Sequence, residues 1–224
     1  FLRKERIMVL GIKIIRKAGL TISKSVTFIF IFIYLLQAAG LVYLLYDRGE
    51  KVRLIQEQEQ KIKELEDRVK ILKIIEDFKV GLSKEEAVKL SGVIYSESKK
   101  YSYDPLLIMA LILTESSFRK DEESMLGAQG LMQVKPSVGK ELAKKSGLEW
   151  KDSLALFDPA FNIQLGTLHL FRLILEFKDV KKALIAYNVG EDALRAKIKS
   201  GDKLPTYFLA KVLKRYKELK ARYG

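Results

Sequence analysis

The sequence contains no cysteine and a single histidine. The first absence excludes a disulfide framework, a thiolate nucleophile and thiolate metal ligands. The second removes any zinc site built from several histidines and leaves one candidate base for Ser/His/Asp chemistry. The lone His169 lies in GTLHLFRLI, between apolar residues at helical spacing, and reads as a packed, neutral structural side chain. Runs that alternate apolar and polar residues, the mark of a half-buried strand, are also missing. Carboxylates, tyrosines and hydroxyls are what remain for acid–base work. Acid is the minority charge: 28 Asp and Glu face 41 Lys and Arg, for a formal net charge of +13. That surplus suits an acidic partner such as nucleic acid, anionic lipid headgroups or an anionic wall polymer.

Residues 26–46 read VTFIFIFIYLLQAAGLVYLLY, with Gln37 the only strongly polar side chain. As a helix this run is long enough to span a hydrocarbon core of roughly 30 Å. A buried core helix would not usually be apolar on every face. A cleaved signal would have a shorter core ending at small residues, whereas Gln37-Ala38-Ala39-Gly40 lies inside the run. The segment is therefore expected to be an uncleaved anchor in a lipid bilayer. Residues 1–25 before it carry Arg3, Lys4, Arg6, Lys13, Arg16, Lys17 and Lys24 against the single acid Glu5. That bias places the N-terminus in the cytoplasm and everything after Tyr46 outside. Much of the net charge is thereby explained as topology. The other basic residues are scattered without a reading motif, so no nucleic-acid partner is expected. The stretch MVLGIKIIRKAGL could lie on the inner surface as a short amphipathic helix.

Residues 47–80 are highly charged and free of proline. Ile55, Ile62 and Val69 recur every seven residues, with Leu65 and Leu72 three further on. The pattern has two readings: a solvated helical stalk, or a short parallel coiled coil that makes a homodimer. Residues 81–224 form the remaining domain. Ser83-Lys84-Glu85-Glu86 is a capping box, and Asp104-Pro105, Pro136 and Asp158-Pro159 each open a further helix. Helical patterns over 181–187, 191–200 and 206–222 complete a largely α domain. The loop between Thr114 and Gln133 has room for a short hairpin.

Glu115 ends the apolar segment DPLLIMALILT. Met109, Leu111 and Ile112 lie three to six residues before it and crowd its face. Desolvation there would raise the carboxyl pKa, as a general acid requires, while a helix-end glutamate facing solvent is the alternative. The next residues supply Ser124, two glycines three apart (Gly127 and Gly130), and Leu131-Met132-Gln133. Tyr187 and Asn188 then end a short helix just before Gly190.

Three motifs stand in order: Glu115-Ser116-Ser117-Phe118, then S-x-x-G-A-x-G-L-M-Q from Ser124 through Gly127 and Ala128 to Gln133, then Ala186-Tyr187-Asn188-Val189-Gly190. Together with LFDPAFNIQLGTLHL at 156–170, they resemble the lytic transglycosylases, whose catalytic domain is related to goose-type lysozyme. The resemblance covers residues 83–216. Where that family often continues A-Y-N-A-G-P-G, this chain has Val189-Gly190-Glu191-Asp192. The resemblance implies an all-α lysozyme-like catalytic domain acting on peptidoglycan glycan strands at the outer face of a bacterial inner membrane. It also implies that Glu115 acts as acid and then base, cutting the MurNAc–GlcNAc bond and leaving 1,6-anhydro ends. Ser124 and Gln133 would position the sugar, Gly127 and Ala128 would also bind substrate, and Met132 would line the cleft. Tyr187 would orient Glu115 or the N-acetyl group, and Asn188 would hold the loop bearing Tyr187. No metal or organic cofactor is implied. Asp121, Glu122 and Glu123 read as a solvated charge run. A goose-type muramidase that uses water, and a wall-binding or scaffold protein without turnover, are the alternatives.

Overall fold

A computed structural model describes residues 23–224. The amphipathic stretch expected at residues 8–20, and nearly all of the basic flank, lie outside those residues. The described chain is built from helices, with no strand among the described residues. Helix α1, Lys24–Phe78, passes through two compact units that divide after Lys61. In the first unit, every side chain from Val26 to Gln37 is exposed. It is the one helix among the described residues long and apolar enough to cross a membrane.

The second unit, Ile62–Gly224, holds the rest of the fold. Helix α2, Lys84–Tyr101, is opened by the expected capping box. The Glu86 backbone N–H donates to Ser83 Oγ at 3.1 Å, and the Ser83 N–H donates to the Glu86 carboxylate at 2.7 Å. Helix α3, Pro105–Glu115, is capped by Asp104 and is buried from Ile108 to Leu113. A helix apolar on all sides must be wrapped by others, and α3 is the centre of the domain. Helix α4, Pro136–Ser146, precedes a short 3-10 turn at Ser153–Phe157. Helices α5, Pro159–Phe177, α6, Val180–Val189, α7, Glu191–Ser200, and α8, Tyr207–Tyr223, follow. Helix α8 lies along α3, while α5 packs on both α2 and α6.

The domain core begins earlier in the chain than residue 81. Ile71, Ile74 and Ile75 near the end of α1 are buried in the same core as Leu90, Ile94 and Val212. Their spacing of three and four places them on one helical stripe. The heptad positions Ile62 and Val69 lie on a different stripe and stay 56% and 64% exposed. Asp77, one turn beyond the buried isoleucines, accepts hydrogen bonds from Arg222 Nη2 at 3.0 Å and from Tyr223 Oη. The last two turns of the expected stalk are thus part of the domain.

Candidate active site

Glu115 owes its position to both ends of α3. At the start, one Asp104 oxygen caps the helix by accepting from the Leu106 N–H at 2.9 Å. The other accepts from Tyr216 Oη of α8 at 2.6 Å, fixing the helix against its neighbour. At the end, Ser117 and Phe118 both adopt positive φ, 53° and 60°, to reverse the chain directly after the acid. A bulky residue with positive φ is strained. Phe118 is fully buried, and the burial of its ring offsets that strain.

The glycine loop is held by one side chain. Asn162 of α5 is fully buried, and its Oδ1 accepts from the Met132 N–H at 2.7 Å. Its Nδ2 donates to the Gln129 and Leu156 carbonyls, both at 2.8 Å. The loop passes so close that a Cβ on Gly130 would stand 2.3 Å from the Leu156 oxygen and 2.4 Å from Asn162 Nδ2. Removing Asn162 strands the Met132 N–H and the Leu156 carbonyl, each worth about 1–3 kcal/mol, and takes one of two donors from the Gln129 carbonyl, which also accepts from the Val134 N–H at 3.0 Å. Asn162→Ala is therefore expected to cost roughly 3–5 kcal/mol in denaturant unfolding. A loss below about 1 kcal/mol would mean that other bonds hold the loop.

Glu115, Ser124, Ala128, Gln133, Tyr187 and Asn188 line one cavity of about 270 Å³. Ser124 Oγ accepts from the Ala128 N–H at 3.0 Å, which closes the loop tip and leaves the hydroxyl proton free to donate. Gln133 Nε2 donates to the Glu122 and Gly130 carbonyls, both at 3.0 Å, so its amide oxygen is the group left for a ligand. Tyr187 Oη donates to the Met132 carbonyl at 2.8 Å. Its one proton is thereby committed to the loop and not to Glu115.

Two expected residues lie elsewhere. Met132 is fully buried, with its side chain packed over Gly166 of α5, so it is a core residue and does not line the cleft. Asn162 draws in the Met132 backbone and turns that side chain inward. Gly127, at φ +73°, belongs to the turn that folds the tip back on Ser124 and is not a cavity wall. The loop carries isolated bridges, Glu123 with Gln129 and Gln129 with Val134, in place of a true hairpin. Two polar side chains of the cavity escaped the sequence reading. Lys135 stands at the start of α4, and His169 packs its ring against Tyr187 with centroids 5.1 Å apart. Burial pushes the His169 imidazole down to about 4, so it is neutral at physiological pH.

Burial pushes the Glu115 carboxyl up to about 8. Its place at the C-terminal end of a helix, where the backbone dipole is negative, acts in the same direction. Glu115 is the one carboxylate lining the cavity among the described residues. Asp121 and Glu123 are exposed, and Glu122 pairs with Arg119 at 2.8 Å. Glu97, 5% exposed, is also held high by burial, but its carboxylate faces Thr167 and Lys100. Among the described residues no group of three or more His, Cys, Asp or Glu side chains could hold a metal ion.

Residues 92–209 match the family model described as the transglycosylase SLT domain. Over 91 residues the chain is 42% identical to membrane-bound lytic murein transglycosylase C of Klebsiella pneumoniae (strain 342), covering 40% of this chain. It spans 25% of that curated relative's length. Among solved structures, an inactive mutant of lytic transglycosylase Slt from Pseudomonas aeruginosa aligns with TM-score 0.46 and 28% identity, covering 58% of this chain and 21% of that one. The 70 kDa soluble lytic transglycosylase from Escherichia coli aligns with TM-score 0.42 and 21% identity, covering 61% of this chain and 25% of that one.

Proposed function

Because the chain belongs to the transglycosylase SLT domain family, we propose that it is a membrane-anchored enzyme that cuts the glycan strands of peptidoglycan. The observation that carries this reading is a single, desolvated carboxyl in a cavity walled by hydroxyl, amide and imidazole groups. Glu115, neutral below about pH 8, protonates the oxygen between N-acetylmuramic acid and N-acetylglucosamine. As the C1–O bond breaks, the sugar takes on oxocarbenium character. The muramyl C6 hydroxyl attacks C1, and its proton passes to the Glu115 carboxylate. A 1,6-anhydro ring forms, the acid is regenerated and no water is consumed. An inverting hydrolase needs a second carboxylate to activate water, and a retaining one needs it as nucleophile. Among the described residues no such group joins Glu115 in the lining of this cavity, which favours the internal hydroxyl, already held beside C1. Tyr187, its own proton held by Met132, can accept a hydrogen bond from neutral Glu115 and so orient it. Ser124 and the Gln133 amide oxygen face the sugar.

Mass spectrometry of peptidoglycan digested by the full chain tests the reaction. Products one water lighter than the hydrolytic ones, with 1,6-anhydro ends, are expected; reducing ends would make it a muramidase. Intact substrate with a folded protein would leave a wall-binding role. Activity should also report the acid directly. With the Glu115 carboxyl near 8, kcat/KM is expected to stay level from weakly acidic to neutral pH and to fall about tenfold per unit above pH 8. A profile that already falls above pH 5 would mean that Glu115 titrates as an exposed acid.

The apolar part of α1 is the bilayer anchor, with residues 1–25 cytoplasmic and the catalytic unit outside, following the charge bias of the flank. The exposed seam of Ile55, Ile62, Leu65 and Val69 suits a parallel coiled coil with a second copy. Sedimentation of the full chain in detergent is expected to show a dimer that Ile62→Glu reduces to monomer. A monomer at the outset would leave the seam as a solvated stalk.

A further inference from the structure

Glu115 is the last residue of α3, and the chain reverses directly after it. The final turn of a helix has no following turn to hold it, so its direction depends on what the next residues are tied to. Here those residues include Ser117 and Phe118, whose positive φ persists only where the surroundings over-determine it. Burial of the Phe118 ring is one constraint. The others come from the junction between α1 and α2. The Val80 N–H donates to the Phe118 carbonyl at 3.4 Å, and Val80 pairs with Arg119 as an isolated parallel bridge. Lys120 Nζ then donates to Glu86 Oε1 at 2.8 Å, across 34 residues of sequence.

Glu86 serves two partners at once. Its Oε2 accepts from the Ser83 N–H and closes the capping box of α2, while its Oε1 takes Lys120. A carboxylate has one oxygen for each; an amide has only one acceptor oxygen. The ion pair is partly open to solvent, with side chains 25% and 35% exposed for Lys120 and Glu86, so it adds little to the stability of the whole fold. Neither residue lines the catalytic cavity. What the pair does is fasten the far side of the turn that follows the acid.

We propose that Glu86 and Lys120 are positioning residues for Glu115: their clamp fixes the turn after α3, and with it the direction in which the carboxyl enters the cavity. The inference rests on the glycan-cleaving reading above and adds to that reaction two residues outside the cavity. One carboxyl must there give a proton to the bridging oxygen and take another from the C6 hydroxyl. Such a group tolerates little error, since a misplacement of about 1 Å can cost on the order of 10²-fold in rate.

The test measures release of 1,6-anhydro ends by the full chain in detergent. Glu86→Gln keeps an acceptor for the capping box but has no second oxygen for Lys120. Lys120→Met removes the cation and keeps a long stem. Each is expected to lower kcat by about three- to tenfold with KM within about twofold of wild type. The double variant should be about as slow as either single one, because both break the same contact. Lys120→Arg keeps the charge and is expected to recover most of the rate. Wild-type kcat in either single variant, a rise in KM at unchanged kcat, or losses that multiply in the double variant overturn the proposal. A second readout needs no turnover. The stability that Glu115→Gln gains at pH 8 reports how dry the carboxyl is, and in a Lys120→Met background it should shrink to about half as the loosened turn admits water. Tyr187 on α6, His169 on α5 and Lys135 ahead of α4, the other titratable groups of the cavity wall, are the same in both backgrounds. If wild type releases no anhydro ends, the glycan-cleaving reading fails; an undiminished gain overturns the clamp by itself.

Discussion

Replacing Glu115 with glutamine is expected to abolish cleavage and at the same time make the protein more stable. One carboxyl performs both proton transfers in the proposed reaction, and a positioned acid–base group contributes on the order of 10²–10⁴ in rate. Glutamine can do neither, so the digest should contain no anhydro ends above background. Residual activity within about tenfold of wild type would remove Glu115 from its role. Stability moves the other way because the acid is held in an unfavourable place. In the unfolded chain Glu115 ionises near its ordinary 4.5, while in the folded chain it keeps its proton to about 8. Between those values folding must take up a proton, so stability falls as pH rises, and it levels off above pH 8. Glutamine carries no such cost. Allowing for solvent screening at the cavity mouth, the variant should gain on the order of 2 kcal/mol at pH 8 and nothing at pH 4. Thermal melts across that range check the sign. An advantage that does not grow with pH would show that burial is not what holds the proton on Glu115.

A chain that begins at Ser83 is expected not to fold. The cut looks natural, since a capping box opens α2 there, but it discards Ile71, Ile74 and Ile75 with the end of α1. Each buried isoleucine is worth about 1.5–3 kcal/mol. Losing three of them removes roughly 5–9 kcal/mol, comparable to the whole stability of a typical domain. The loss also takes three buried side chains out of the core that Leu90 and Ile94 share. A chain that begins at Ile62 keeps the stripe and should give a cooperative melt, where the shorter one aggregates or binds a hydrophobic dye. A well-folded Ser83 chain with a melting temperature near that of the longer one would show that α1 is only draped on the domain.

The helices were legible because their ends are written in local chemistry. Ser83 with Glu86, Asp104 before Pro105 and Asp158 before Pro159 each satisfy backbone donors within three residues, so no knowledge of the fold is needed to find them. Glu115 was legible for a similar reason, as a carboxylate at the end of an unbroken apolar helix. Met132 was not. It sits in an irregular loop with no period to say which side chains turn inward, and the direction is set by Asn162, distant in sequence. His169 is packed and neutral as its apolar neighbours suggest, but its place on a cavity wall was not legible; only the opening between α4, α5 and α7 shows it. The stalk misled because two stripes overlap on one helix. The heptad set Ile62 and Val69 was read, while the set that enters the core begins at Ile71 and was hidden by it.

The clamp at Asp77 also bears on how the domain comes together in time. Its bonds to Arg222 and Tyr223 join the end of the first helix to the last turn of the final one, across 145 and 146 residues. Pairings of such long sequence separation form late, after the local turns and the apolar centre have closed the intervening loops. Interactions absent from the folding transition state act mainly as a brake on the reverse reaction. Asp77→Asn is thus expected to leave the folding rate nearly unchanged and to speed unfolding modestly, as the loss of a latch would.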